Sequence, residues 1–381
     1  MKILAIDDQQ LILLSVEKRL SELGFDVQIA DSGTKGIALY DKFRPDLVIV
    51  DINMPGMSGL EVVKYIRIEK SEDTPVLVLS GNTNENVIVD GFDLGINDYM
   101  KKPVSLNEMV ARIDRILGVC SLPSLENVSP ANQMLQKYCV GIVIPCYNEE
   151  ERLSSAVFQK FATENLGYHL CFVNDGSTDN TLEVLEKLRE GNEDTISIYN
   201  CDRNGGKAEA VRQGILHLAK DKQFNYLGYL DADLSTDFRD FDELVQTLEN
   251  SDFKIVSGSR ISRMGANITK ESARKIISKT INLIIQKILG MSFKDTQCGA
   301  KIMKIDMVSP IFEKKFITRW LFDVEIFMRM KKFYGKDKAK DLICEQPLKR
   351  WIHADGSKLS MKDSIKIIGQ LGQIAFHYKS A

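Results

Sequence analysis

The sequence contains no apolar run near the ~18 residues that a membrane-spanning helix requires, so no integral membrane span is expected. Its seven cysteines, at 120, 139, 146, 171, 201, 298 and 344, include no C-x-x-C pair. An odd number of cysteines without metal-ligand spacing argues for free thiols in a reducing compartment and against a zinc site. The opening residues reach Asp7 and Asp8 too early for the apolar core of a secretory signal, so the expected location is the cytoplasm. Internal repeats and low-complexity tracts are also missing. So are zinc-finger spacing and an RNA-binding aromatic signature, and no nucleic-acid partner is expected. What remains is ordinary soluble composition, 44% hydrophobic and 27% charged over 381 residues, enough for two or three domains at ~150 residues each.

The net charge of −3 conceals an asymmetry. Residues 254–381 hold 26 Lys/Arg against 11 Asp/Glu, a balance of +15, and residues 1–253 carry −18. A basic C-terminal third is drawn to anionic lipid head groups or phosphorylated substrates. Solvated lysines with no partner are the plainer alternative.

In the first 119 residues apolar runs alternate with helical stretches. Ile3–Ile6 ends in Asp7-Asp8, Asp46–Val50 in Asp51, Pro75–Leu79 in Ser80, and Asp98–Met100 leads to Lys101-Lys102-Pro103. This β-α repetition implies a parallel sheet with helices on both faces, and all the polar tips then gather at one edge. Asp7, Asp8 and Asp51 are candidate ligands for Mg²⁺, a hard ion that takes oxygen donors. Asp51 is the candidate nucleophile for a phosphoryl group. Lys102 would neutralise phosphoryl oxygens and Ser80 would donate a hydrogen bond to them. Lys102 before Pro103 suits a strained turn, with a cis peptide as one option.

These motifs resemble a response-regulator receiver domain over about residues 1–118. The matching residues are Asp7-Asp8, the run from Asp51 to Gly59, Ser80-Gly81, and Asp98-Tyr99 through Lys102-Pro103. The resemblance implies a flavodoxin-like (βα)5 fold phosphorylated by a sensor histidine kinase or phosphotransfer protein. It also implies Tyr99 as an aromatic switch residue and the Asn53 backbone carbonyl as a further Mg²⁺ ligand. Residues 120–138, with two prolines and three serines before Asn132, read as a linker, and 133–138 as a lead-in to the next sheet.

From residue 139 onward, three apolar runs again end in polar tips. Val140–Ile144 precedes Pro145-Cys-Tyr147-Asn148-Glu149, Phe172-Val173 precedes Asn174-Asp175-Gly-Ser-Thr-Asp179, and Tyr229-Leu230 precedes Asp231-Ala-Asp233. Strand ends of an open α/β sheet are where ligands bind. Two carboxylates one residue apart can share a divalent cation. Glu149 and its neighbouring amides could frame a nucleoside, and Asp175 could accept a hydrogen bond from a uracil ring. Asn204-Gly-Gly-Lys207 is a glycine-rich turn opening a helix, without Walker spacing. Lys207 offers charge to a diphosphate, and a simple helix cap is the alternative reading.

Together these residues resemble a family 2 glycosyltransferase, and within it the polyprenyl- (dolichyl-) phosphate β-glucosyltransferases. The more specific matches are Asn204–Lys207 with Ala210-Val-Arg212, Gly258-Ser-Arg260, Asp295 through Lys301, Arg319-Trp-Leu-Phe-Asp323-Val-Glu325, Trp351, and Asp355 through Lys358. The resemblance covers about 139–365. It implies a GT-A fold, Rossmann-like with a mixed sheet, and inverting transfer of a hexose, glucose from UDP-glucose, to a polyprenyl phosphate. Asp231 and Asp233 would hold Mg²⁺ or Mn²⁺, and Arg260 would orient the lipid phosphate. Asp295 is a candidate base or orienting group, with a loop cap as the alternative. Arg319, Asp323 and Glu325 belong to the acceptor side, or to an internal salt bridge.

Two amphipathic stretches bear on location. One places Ile277, Ile281, Ile284 and Ile288 on a single face, and the other runs through Ile367, Ile368, Leu371 and Ile374. Such helices lie on a bilayer surface, pack on their own domain or form a homodimer. The lipid-like acceptor favours peripheral attachment to the inner face of the membrane. Two competing functions are a transferase acting on a polysaccharide or soluble acceptor, and a non-catalytic sensor of nucleotide sugars. A DNA-binding output is disfavoured because no segment of helix-turn-helix size is left over.

Overall fold

In the computed structural model, residues 1–81, 85–118, 134–221, 223–261, 267–268, 274–351 and 361–379 are described. The chain divides into two compact units, Met1–Cys139 with Gln159–His169, and Val140–Phe158 with Leu170–Ala381.

The first unit is built on β1 (Lys2–Ile6), β2 (Asp26–Ala30), β3 (Leu47–Asp51), β4 (Val76–Ser80) and β5 (Asp98–Lys101), in the order β2-β1-β3-β4-β5 with every pairing parallel. β3 and β4 are buried along their whole length, which explains why they read as unbroken apolar runs rather than alternating ones. The helices are α1 (Gln10–Glu22), α2 (Gly33–Phe43), α3 (Gly59–Lys64), α4 (Glu85–Asp93) and, after the two-residue strand β6 (Val104–Ser105), α5 (Leu106–Leu117). α3 starts at a capping box, in which the Ser58 hydroxyl accepts from the Glu61 N–H and Glu61 accepts from the Ser58 N–H, so two orphan donors are satisfied at once. α5 buries Leu106, Met109, Val110 and Ile113, a face with helical spacing. The strand order reverses between β1 and β3, the switch point at which such sheets open a crevice beyond their carboxyl ends.

The second sheet is made by β7 (Met134–Cys146), β8 (Asn165–Asn174), β9 (Ile196–Asn200), β10 (Tyr226–Leu230), β11 (Ile255–Ser259), β13 (Ala300–Lys304) and β14 (Ile343–Pro347), with β12 (Asn267–Ile268) pairing separately with β15 (Arg350–Trp351). Its order is β14-β11-β13-β10-β7-β8-β9. β13 runs antiparallel to both β10 and β11, while β10 is parallel to β7, β8 to β9 and β11 to β14. This is the expected mixed α/β sheet. β7 begins inside the stretch read as a linker, and residues 120–133 of that stretch lie outside the described residues.

The accompanying helices are α6 (Ser155–Glu164), α7 (Thr181–Arg189), α8 (Lys207–Leu218), α9 (Phe238–Glu249), α10 (Arg274–Leu289), α11 (Val308–Phe312), α12 (Phe322–Tyr334), α13 (Lys336–Asp341) and α14 (Met361–Lys379). α12 is buried from Phe322 to Met330, as a helix surrounded by core must be. Ile367, Leu371 and Ile374 of α14 are buried, and α14 packs on α10 and α12. Of the α14 stripe, Ile367, Leu371 and Ile374 thus pack on their own domain, one of the readings left open, whereas Ile368 is exposed. On α10 the buried residues are Ile285 and Leu289, whereas Ile281, Ile284 and Ile288 are half-buried and the side chain of Ile277 lies outside the described residues. The apolar side chains these two helices turn outward are Leu283 at 65%, Ile368 at 48% and Phe376 at 80% exposure. Among the described residues, no helix is long and apolar enough to cross a membrane.

Candidate functional site

In the first unit the carboxyl ends of β1, β3, β4 and β5 assemble a buried polar pocket. Each carboxylate of Asp7, Asp8 and Asp51 offers an oxygen, and these three atoms lie within 4.8 Å of one another. The Lys102 ammonium, 0% exposed, stands 2.5 Å from Asp7 and 2.8 Å from Asp51. Burial pushes the Asp7 carboxyl up to about 6, with Lys102 opposing and Asp51 adding to the rise. Burial, then the Asp51 charge, also raises Asp8. Burial alone would lower Lys102, but the two carboxylates outweigh it and hold the ammonium firmly protonated. Three like charges with one lysine are short of positive charge, and their oxygen-only donor set fits a hard divalent cation. Asn53 donates its backbone N–H to Asp51 at 3.0 Å and its amide to the Ser80 hydroxyl at 3.2 Å. The half-buried Tyr99 hydroxyl is hydrogen-bonded to Ser80. The Lys102–Pro103 bond is cis. The side chains of Asp7, Asp8, Asp51, Ser80, Tyr99 and Lys102 therefore meet in one place, and Asn53 reaches it through its N–H and amide.

In the second unit, the loops after β7 and β8 are stitched together. The Ser177 hydroxyl accepts from Asn148 N–H at 3.1 Å, Asn148 Oδ1 accepts from Thr178 N–H at 2.9 Å, and Thr181 Oγ1 accepts from Glu149 N–H at 2.8 Å. Asn148 sits at φ 53°, a left-handed conformation that asparagine tolerates better than most residues. Tyr147 is exposed and Pro145 half-buried. Glu149 has one oxygen on Arg152 at 2.9 Å, while its Oε2 is buried and accepts no hydrogen bond. Burial, reinforced by the charges of Asp233 and Asp179, raises its carboxyl. An orphaned, buried acceptor beside further carboxylates fits an electropositive or hydroxyl-bearing ligand.

Asp175 is buried, and its two oxygens accept the Gly205 and Gly206 N–H groups, each at 2.8 Å. The glycine turn thus directs these amides to Asp175 rather than to a diphosphate, and each Asp175 oxygen has acceptor capacity left for a further donor. Gly206, at φ 85°, precedes α8 and lies against the Arg319 side chain. The Arg319 carbonyl accepts Ala208 N–H at 3.2 Å. Asn204 is exposed at the rim. Lys207 reaches across to Asp231, Nζ to Oδ1 2.5 Å. Burial lowers Lys207, but Asp231, Asp323 and Asp233 together raise it. Asp233 is exposed and accepts Ser235 N–H at 2.9 Å. The Asp231 N–H donates to the Gly299 carbonyl at 3.0 Å, and a Cβ on Gly299 would fall 1.9 Å from Asp231 Oδ2.

Arg260 and Asp295 form a forked pair, with both bonds at 2.7 Å, and the Arg260 N–H also donates to Asp295 at 2.8 Å. The guanidinium lies 5.7 Å over the buried Trp351 ring, while Trp320 is 59% exposed. Glu345 accepts the Lys294 and Asp295 N–H groups. With both oxygens on Arg260, Asp295 behaves as an orienting group more than as a base.

Asp323 and Glu325 are buried supports. Glu325 accepts the Ile317 and Thr318 N–H groups, each at 2.9 Å, so it holds the loop before Arg319 through backbone amides. Asp323 accepts from Lys301 Nζ at 2.6 Å and from the Tyr229 hydroxyl. Lys301 ends the Asp295–Lys301 match, which assigns it no role of its own. A lone cation inside the apolar run Ala300-Lys-Ile-Met303 was the available signal, because a charge at such a position must be paired. Residues 355–358 lie outside the described residues.

Residues 3–114 match the response regulator receiver domain family, and residues 141–312 match glycosyl transferase family 2. A dolichyl-phosphate beta-glucosyltransferase of Dictyostelium discoideum is 31% identical over 275 residues, 67% of this chain and 79% of that protein. One from Drosophila melanogaster is 31% identical over 255 residues, covering 63% and 73% respectively. Response regulator MprA of Mycobacterium leprae is 37% identical over 117 residues, 31% of this chain and about half, 51%, of that regulator.

Proposed function

Since the chain belongs to glycosyl transferase family 2 and also carries a response regulator receiver domain, we propose that it moves glucose from UDP-glucose to a polyprenyl phosphate under the control of phosphorylation at Asp51. The receiver occupies residues 1–119 and the transferase 139–381. The carrying observation is the convergence of Glu149, Asp175, Lys207, Asp231 and Asp233 at the ends of β7, β8 and β10. Asp175 holds the glycine turn and presents its remaining lone pairs to the base. Lys207 places its charge beside Asp231, where the diphosphate leaves. A divalent cation bound by Asp233 with Asp231, Mg²⁺ or Mn²⁺, would supply further stabilisation of the leaving diphosphate. The acceptor phosphate is already ionised near neutral pH, so it needs orientation rather than deprotonation. Arg260, aimed by Asp295 and backed by Trp351, provides that orientation.

In the receiver, Mg²⁺ on Asp7, Asp8, Asp51 and the Asn53 carbonyl would offset the charge crowded there. Asp51 takes the phosphoryl group from a histidine kinase or phosphotransfer protein. Lys102 and Ser80 bind the new oxygens, and Ser80 then draws on its bond to Tyr99. A phosphoryl group adds nearly two negative charges, enough to reorder a surface. Attachment to the membrane is peripheral, through the basic C-terminal third and outward residues such as Leu283, Ile368 and Phe376. The test is incubation of labelled UDP-glucose with polyprenyl phosphate and the intact protein. Label extracted into organic solvent is the expected result. Label in polymer would replace the acceptor assignment, and no transfer would end the enzymatic reading.

A further inference from the structure

Below the candidate donor site lies a buried charge cluster with no role in the chemistry above. Lys301 is wholly buried on β13 and sits opposite Tyr229 in the antiparallel register with β10. Its ammonium makes three bonds, to the Thr296 carbonyl at 3.0 Å, the Cys298 carbonyl at 2.7 Å and Asp323 Oδ1 at 2.6 Å. Asp323 also receives the Tyr229 hydroxyl. These bonds join three segments that reach the site. The turn 295–299 carries Asp295, which aims Arg260, and Gly299, whose carbonyl receives the Asp231 N–H. β10 carries Tyr229 two residues before Asp231. α12 carries Asp323 in its first turn, four residues after Arg319, whose carbonyl caps α8 beside Lys207.

We infer that Lys301 is a positioning residue: its two carbonyl bonds fix the 295–299 turn, and so set where Arg260 meets the acceptor phosphate relative to Asp231. This rests on the functional reading above. An ammonium is suited to the task, because it presents three donors from a single point to acceptors on two different segments. A buried ion pair alone does not require it, since hydrophobic residues of similar volume often replace such pairs without loss of stability. The two carbonyls do require a donor at that point, and no apolar side chain supplies one.

The test separates the pair from the turn. K301M leaves the Asp323 carboxylate buried and unpaired, and destabilisation is expected. K301M/D323N removes both charges while the new amide oxygen still accepts from Tyr229. The double variant should melt above K301M but below the wild type, because the two carbonyls still lose their donor, and bind UDP-glucose with unchanged affinity. Its amides over 296–299 should exchange with deuterium at least tenfold faster, and kcat/KM for polyprenyl phosphate should fall about 100-fold. Unchanged exchange in that turn would overturn the proposal, whatever the enzyme's substrate. Full transfer by the double variant would reduce Lys301 to a stabilising role. If the wild type itself transfers no sugar, the functional reading fails, and the exchange comparison decides the positioning role by itself.

Discussion

Replacing Gly299 by alanine should slow catalysis about 10²–10³-fold while leaving the fold intact. A Cβ there would lie 1.9 Å from Asp231 Oδ2 and 2.2 Å from its Cγ, far inside the 3.4–4 Å of ordinary van der Waals contact. Either the strand moves or the carboxylate does. The strand is held by the β10–β13 ladder, in which Leu230 pairs with Ala300, and by the Asp231 N–H bond to Gly299. The carboxylate is one-third exposed and rotates into solvent at small cost. Overpacking typically destabilises by about 1–3 kcal/mol, and a rim position should fall at the low end. The functional loss should be larger, because rotation breaks the Lys207–Asp231 pair and moves both charges off the diphosphate. Removing one well-placed electrostatic contact costs about 2.7–4 kcal/mol, or 10²–10³-fold. Transfer of labelled sugar and the thermal midpoint should be measured on G299A, D231A and G299A/D231A. D231A removes the three atoms nearest the added methyl, so the double variant should be no slower than D231A alone. Wild-type transfer by G299A would refute the placement of Asp231, and additive losses would refute the clash as the cause.

Three further outcomes are expected. D51N should keep basal transfer but lose any response to a small-molecule phosphodonor, and equal wild-type rates with and without the donor would contradict control through Asp51. In metal-free protein, burial raises Asp7 to about 6, above its unfolded value. A carboxyl raised in this way contributes stability that is present at low pH and lost as pH rises through about 6. The thermal midpoint of D7N should therefore exceed that of the wild type at pH 8 by more than at pH 5, and a gap independent of pH would count against it. E325A strands the Ile317 and Thr318 N–H groups, at about 1–3 kcal/mol for each orphaned donor. Its midpoint should fall, and E325Q, which keeps an acceptor oxygen, should recover part of the loss.

The parts of this molecule that were legible in its sequence are those set by local order. Asp7, Asp8, Asp51, Asp231 and Asp233 each follow an apolar run, and a strand delivers its last side chain to the sheet's edge whatever the rest of the chain does. The parallel β1–β5 order follows from helices lying between the strands. What was not legible depends on pairing across long separations. Arg260 and Asp295 are 35 residues apart, and only the reversed direction of β13 brings the turn 295–299 to Asp231. Asp323 and Glu325 read as acceptor-side groups or as an internal salt bridge, and only the enclosed α12 shows that Asp323 pairs with Lys301 and Glu325 with the Ile317 and Thr318 amides. The Ile367, Leu371 and Ile374 stripe shows the limit of periodicity. Helical spacing establishes that a face is apolar, and only the fold reveals that α10 and α12 cover it.

The central claim is that the chain holds a nucleotide sugar at Asp231 and Asp233 with a divalent cation. Calorimetric titration of the intact protein with UDP-glucose in the presence of Mn²⁺, on wild type and D233A, tests it most directly. The expected result is saturable binding by the wild type, weakened at least 100-fold in D233A and dependent on the metal. Equal affinity in the two proteins would contradict the assigned site.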